Sequence, residues 1–112
     1  MIIMKKKVLV IDGHEVALEA RADNLRHLGY DVTTSTGDAV PGKFDSVLYV
    51  IGIRADGREG ERIRKIRENY PKAKLVVYST QTIFQMYGPQ IELARAETLP
   101  MIRTPKEIAA VL

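Results

Sequence analysis

Between Ser46 and Ile53 the chain reads SVLYVIGI, with no polar alternation to mark a solvent-facing side. A segment this apolar must be covered on both faces, which is the setting of a central strand in a parallel sheet. Lys7–Ile11 and Leu75–Tyr78 repeat the pattern, and Tyr30–Thr34 and Leu99–Ile102 supply two shorter strands. Helical spacing fills the intervals. Leu18, Ala22, Leu25 and Leu28 recur at steps of three and four before Gly29, and Ile63, Ile66 and Tyr70 recur before Pro71. A further helix is expected from Gly88 and Pro89 through Ala96. The last is expected from Thr104, whose hydroxyl, with Pro105 and Glu107, makes an N-cap, a first-turn proline and a capping-box acid, and it should reach Leu112. Ser35 to Lys43 holds Gly37, Pro41 and Gly42, so the second crossover should be abbreviated.

The alternation of strand and helix predicts one α/β domain over residues 1–112, with residues 1–6 a basic N-terminal tail. Right-handed crossovers make it a doubly wound, five-stranded parallel sheet in a three-layer α-β-α sandwich of flavodoxin-like form. At 112 residues one hydrophobic core suffices. The sequence has no cysteine, which removes disulfides, thiolate metal sites and thiol nucleophiles together and fits a cytoplasmic setting. No apolar run approaches the roughly 20 residues of a membrane span. The net charge of +3 is mild. Its densest group, Arg58, Arg62, Arg64, Lys65 and Arg67, reads as the solvated face of a helix, so nucleic acid is not the expected partner.

Ligands of such sheets sit beyond the carboxyl ends of the strands, here Asp12, Val50 to Gly52, Ser79 and Met101. At these positions the chain resembles the receiver domain of response regulators. VLVIDGHE followed by LRHLGYDV, then ADGREGERIRKIRENYP, LVVYS and TPKEI, match the family in order and spacing from about Lys6 onward. The resemblance implies a signalling module. In a working receiver, a strand-three aspartate accepts the phosphoryl group, two acids on the first turn hold Mg²⁺, and a lysine and a hydroxyl read the product. Carried over, Asp12 is the first acid and Ser79 the hydroxyl, while Gly13 replaces the second acid, Val50 the phosphoacceptor and Met101 the lysine. No residue from Ser46 through Ala55 is acidic, so a slipped alignment does not restore the nucleophile.

The sequence therefore predicts a degenerate pocket in a pseudo-receiver that is not an enzyme, takes no metal or cofactor, and acts through protein partners independently of phosphorylation. Asp12 is expected to cap the helix that follows it, Ser79 to satisfy backbone at a strand end, and Tyr49 to lie in the core. His14 and His27 are expected at the surface or at helix termini. Ile83, Phe84, Met86 and Tyr87 crowd ahead of Gly88 and Pro89, too many for the inward stripe of one continuous helix. They are the candidate contact surface, for a partner or a homodimer. Two alternatives stand beside this reading. The loop DGHE is similar to that of cobalamin-binding domains, in which His14 would ligate cobalt, although Arg54 and the Tyr78–Thr80 run stand where that family needs small residues. The other is a basic accessory to nucleic acid.

Overall fold

The structure, a computed structural model, describes residues 5–37, 39–52 and 56–112. The elements run β1 (Lys7–Asp12), α1 (Glu15–His27), β2 (Asp31–Ser35), β3 (Ser46–Val50), α2 (Glu59–Asn69), β4 (Lys74–Ser79), α3 (Gln81–Met86), α4 (Gly88–Leu93), β5 (Glu97–Pro100) and α5 (Pro105–Ala109). All strand pairs are parallel, and the sheet order is β2-β1-β3-β4-β5, with β3 in the centre. The expected doubly wound sheet is thus observed.

Strand alternation sorts the core into two layers. Leu9, Ile11, Val47, Tyr49, Leu75 and Val77 face Ile63, Ile66, Ile83 and Ile91 of α2, α3 and α4. Val8, Val10, Leu48, Val50, Val76 and Tyr78 face Leu18, Ala22 and Leu25 of α1 and Ile108 of α5. Because both faces are covered, β1, β3 and β4 carry apolar residues at every interior position, the continuous runs visible in the sequence.

Between β2 and β3 no helix occurs among the described residues. The loop covers the sheet by other means. Phe44 packs edge-on against Tyr70 at 5.6 Å. The Tyr70 hydroxyl donates to Val40 O at 2.6 Å and accepts from Val40 N–H at 2.9 Å. Between β4 and β5 there are two short helices in place of one. Thr80 caps the first through its side chain, and Tyr87 is the joint between them. Gly60 lets α2 approach that joint: a Cβ there would lie 3.2 Å from Tyr87 Cδ1 and 3.1 Å from Gln90 Cγ.

Several sequence boundaries move. Leu28 is no part of the buried stripe of α1; it is 40% exposed, because the helix closes at His27 and Leu28 is its C-cap. The helix expected through Ala96 ends at Leu93, where Ala94 caps it and Arg95 turns to φ +54°. Strand β5 begins two residues early, at Glu97. Its first two residues are exposed at a sheet edge, so the strand lacks the apolar signature there. The last helix stops at Ala109, short of Leu112, and β3 stops at Val50. Ile51 and Gly52, expected within β3, lie past its end, while Ile53, Arg54 and the first four residues of the tail lie outside the described residues.

Candidate functional site

The sheet brings Asp12, Val50, Ser79 and Met101 together at its carboxyl edge. Asp12 ends β1 and lies in register with Val50 at the end of β3; Ser79 ends β4, and Met101 N–H donates to Ser79 O at 2.8 Å. Their side chains are already committed. Asp12 Oδ1 accepts from His14 N–H at 2.9 Å, and Oδ2 accepts from Arg21 Nε at 3.3 Å. The Arg21 guanidinium also lies over the Tyr78 ring, 5.1 Å from its centroid. This is a correction to the sequence reading of Asp12. The N-cap of α1 is His14, whose Nδ1 accepts from Ala17 N–H at 3.2 Å, while Asp12 closes the turn before it and pairs with Arg21. A histidine at this point reaches the helix backbone because the Asp12 turn holds it there.

Ser79 is fully buried, and its hydroxyl donates to Ile51 O at 2.7 Å. It serves the backbone at a strand end, as the sequence suggested. Val50 is 4% exposed, within the apolar layer shared with α1 and α5, against which Met101 also packs. Gly13 stands open: nothing lies within 4 Å of a Cβ built on it. A second acid would therefore fit there in space, and what is missing is the functional group.

The donor set does not suit Mg²⁺. That ion needs an oxygen-rich octahedral shell. Asp12 is the single carboxylate of the pocket, both of its oxygens are engaged, and the Arg21 cation already neutralises it. Among the described residues no group of three or more His, Asp or Glu is gathered to hold a metal ion.

Beside this pocket lies a polar cluster that sequence reasoning missed. Glu59, in the first turn of α2, is only 2% exposed. Its Oε1 accepts from Asp56 N–H at 2.7 Å, and its Oε2 accepts from the Tyr87 hydroxyl at 2.8 Å. Arg62 grips Asp56 through two bonds, of 2.8 and 2.6 Å, which hold the Asp56 carboxyl well below the usual carboxylate range, aided by the Arg58 N–H. Burial pushes the Tyr49 phenol up to about 12, opposed by the nearby Arg62 charge. The D-x-x-E spacing of Asp56 and Glu59 is a capping pattern readable in the sequence. Nothing in that pattern announces the burial of Glu59, which Tyr87 imposes from another element.

The candidate contact surface divides. Ile83 and Tyr87 belong to the core, which corrects their assignment to the surface, and Phe84 is partly buried against the same layer. The break at Tyr87 lets the chain turn inward twice, so a single helical stripe is not required. Met86, 58% exposed, remains at the surface, joined by Leu93 at 83%. No helix among the described residues is long and apolar enough to cross a membrane.

No protein-family model matches the sequence, and neither does the sequence of any curated protein. Solved structures do match in fold. The chemotaxis response regulator CheY4 of Vibrio cholerae superposes with a TM-score of 0.75 at 19% identity, over 97% of this chain and 100% of that one. A phosphorylated response regulator protein from Burkholderia pseudomallei gives 0.74 at 21% identity, over 96% of this chain and 66% of that one. An adenylate cyclase from Rhodopirellula baltica gives 0.72 at 17% identity, over 96% and 85%. By its parallel strand order and these superpositions, this chain has the flavodoxin-like fold seen in response-regulator receiver domains.

Proposed function

We propose that the chain is a pseudo-receiver: a signalling module that binds partner proteins and does so without being phosphorylated. The observation that carries this is Val50. It occupies the end of the central strand, across from Asp12, where a receiver would carry its phosphoacceptor. A valine side chain has no lone pair with which to attack phosphorus, and the neighbouring Asp12 and Ser79 are engaged by His14 N–H and Arg21 and by Ile51 O. The basic group on α2 favours a protein over nucleic acid as partner. Arg62 pairs with Asp56, Arg64 with Glu68 and Lys65 with Glu61, and Arg67 donates to the carbonyls of Tyr70, Pro71, Ala73 and Ala94. Four of its five cations are thus spent within the chain.

Incubation with acetyl phosphate and Mg²⁺, followed by mass measurement with and without hydroxylamine, is expected to show no acyl phosphate on the protein. A hydroxylamine-labile acyl phosphate on the protein would end this reading.

The contact face includes the outer side of α3 and α4, where Met86 and Leu93 are exposed with Pro89 between them in sequence. Its first occupant is a second copy of this chain, since a self-complementary patch closes most simply into a two-fold dimer. Light scattering should show mass rising with concentration in the micromolar range. Met86→Glu and Leu93→Glu should lower that mass while melting as wild type does. A wild-type monomer throughout, or dimers untouched by both substitutions, removes this face from the proposal.

A further inference from the structure

A cleft of about 160 Å³ opens between α1 and α5, on the side of the sheet away from α2, α3 and α4. Leu25, Leu48 and Ile108 form its apolar floor, and Arg21, Asn24 and Arg103 are its polar lining. One buried residue, Tyr78, touches both arginines, the first at its side chain and the second at its backbone. Its ring carries the Arg21 guanidinium, and its hydroxyl accepts from Arg103 N–H at 2.8 Å. Arg21 spends only Nε, on Asp12. Among the described residues its remaining guanidinium donors, the side chain of Arg103 and the carboxamide of Asn24 have no hydrogen-bond acceptor. Five donors in a planar fork are built for a carboxylate or phosphate, so these groups offer an anion edge over an apolar floor.

The geometry points to a binding site in this cleft for a small organic monoanion, a carboxylate carried on an aromatic or branched apolar body. Charge sets the valence. Asp12 offsets Arg21, and Glu107, near Arg103, is engaged with Thr104 N–H, so the lining calls for one negative charge and not several. Volume sets the size. At a liquid share of about 30 Å³ per water the cleft equals about five waters, room for one ring with its carboxylate. The floor is already formed by buried side chains, so the ligand need not pay for ordering them. This site is independent of the phosphorylation chemistry, and would give the module a small-molecule input on the face away from α3 and α4.

The test uses the full chain, isotope-labelled, titrated with sodium benzoate and followed by amide chemical shifts. Benzamide, without the charge, and sodium acetate, without the apolar body, are titrated at matched ionic strength. Saturable shifts are expected at Arg21, Asn24, Leu25, Leu48, Arg103 and Ile108, with a dissociation constant on the order of a millimolar. Both analogues should bind about tenfold more weakly or worse. Arg103→Gln, which disturbs no side-chain hydrogen bond, should weaken benzoate about tenfold with melting unchanged. Benzamide binding as well as benzoate, full affinity in Arg103→Gln, or shifts that are absent or scattered over the surface would each overturn the site.

Discussion

Val50→Asp is expected to destabilise the protein by about 3 kcal/mol or more at neutral pH, the scale for burying an unpaired carboxylate. The position lies in the apolar layer against α1 and α5 and opposite Asp12, whose own charge is already paired with Arg21. Two carboxylates would then face each other across adjacent strands with a single guanidinium between them. Burial and like charge both push the introduced carboxyl above its ordinary range, near 4. A folded-state pKa above the unfolded one means that the folded protein holds the proton more tightly. The penalty is therefore fully present above the folded pKa and fades as pH falls toward about 4. Denaturant melts of the variant and wild type at pH 7 and near pH 4.5 should show the gap narrowing. A variant as stable as wild type at pH 7 would remove Val50 from the buried strand end.

The same substitution does not make a working receiver. An aspartate at this position would still lack a second acid, since Gly13 contributes no side-chain oxygen, and Met101 supplies no cation to draw developing charge from the phosphoryl group. Acetyl phosphate labelling of Val50→Asp is thus expected to stay at background. On the proposed pseudo-receiver reading, phosphoryl transfer is therefore blocked at several positions at once, and one substitution does not supply it.

Legibility in the sequence followed the range of the interactions. Strands β1, β3 and β4 could be read because cover on both faces leaves an uninterrupted apolar run. The capping box of α5 could be read because Thr104 and Glu107 bond only to each other's local backbone. Strand β5 slipped by two residues because Glu97 and Thr98 face solvent at a sheet edge, where no apolar pattern is imposed. The helices α3 and α4 each span six residues, too few for a period to emerge, and the joint at Tyr87 resets the phase between them. At the site, the residue types at the strand ends were legible one by one. What each side chain bonds to was not, since the partner of Asp12 is Arg21, nine residues on along the chain, and that of Glu59 is Tyr87, at the joint of α3 and α4.

That last pair supplies the second large effect. Glu59→Ala is expected to lower stability by about 3 kcal/mol and the melting temperature by about 10–20 °C. It strips the acceptor from the part-buried Asp56 N–H and from the buried Tyr87 hydroxyl. Glu59→Gln keeps one carbonyl oxygen and should lose less, yet its amide must face one of two donors and cannot satisfy both. Tyr87→Phe removes a single bond and should fall nearer to wild type than Glu59→Ala. Tyr87→Glu is different in kind, because it sets a second carboxylate against a buried one, and no folded protein is expected at neutral pH. Met86→Glu, one residue away but exposed, should melt as wild type does. The contrast between adjacent positions separates core from contact face in one series of melts. Should Tyr87→Glu remain folded while Met86→Glu does not, the inward and outward sides of the α3–α4 joint have been assigned the wrong way round.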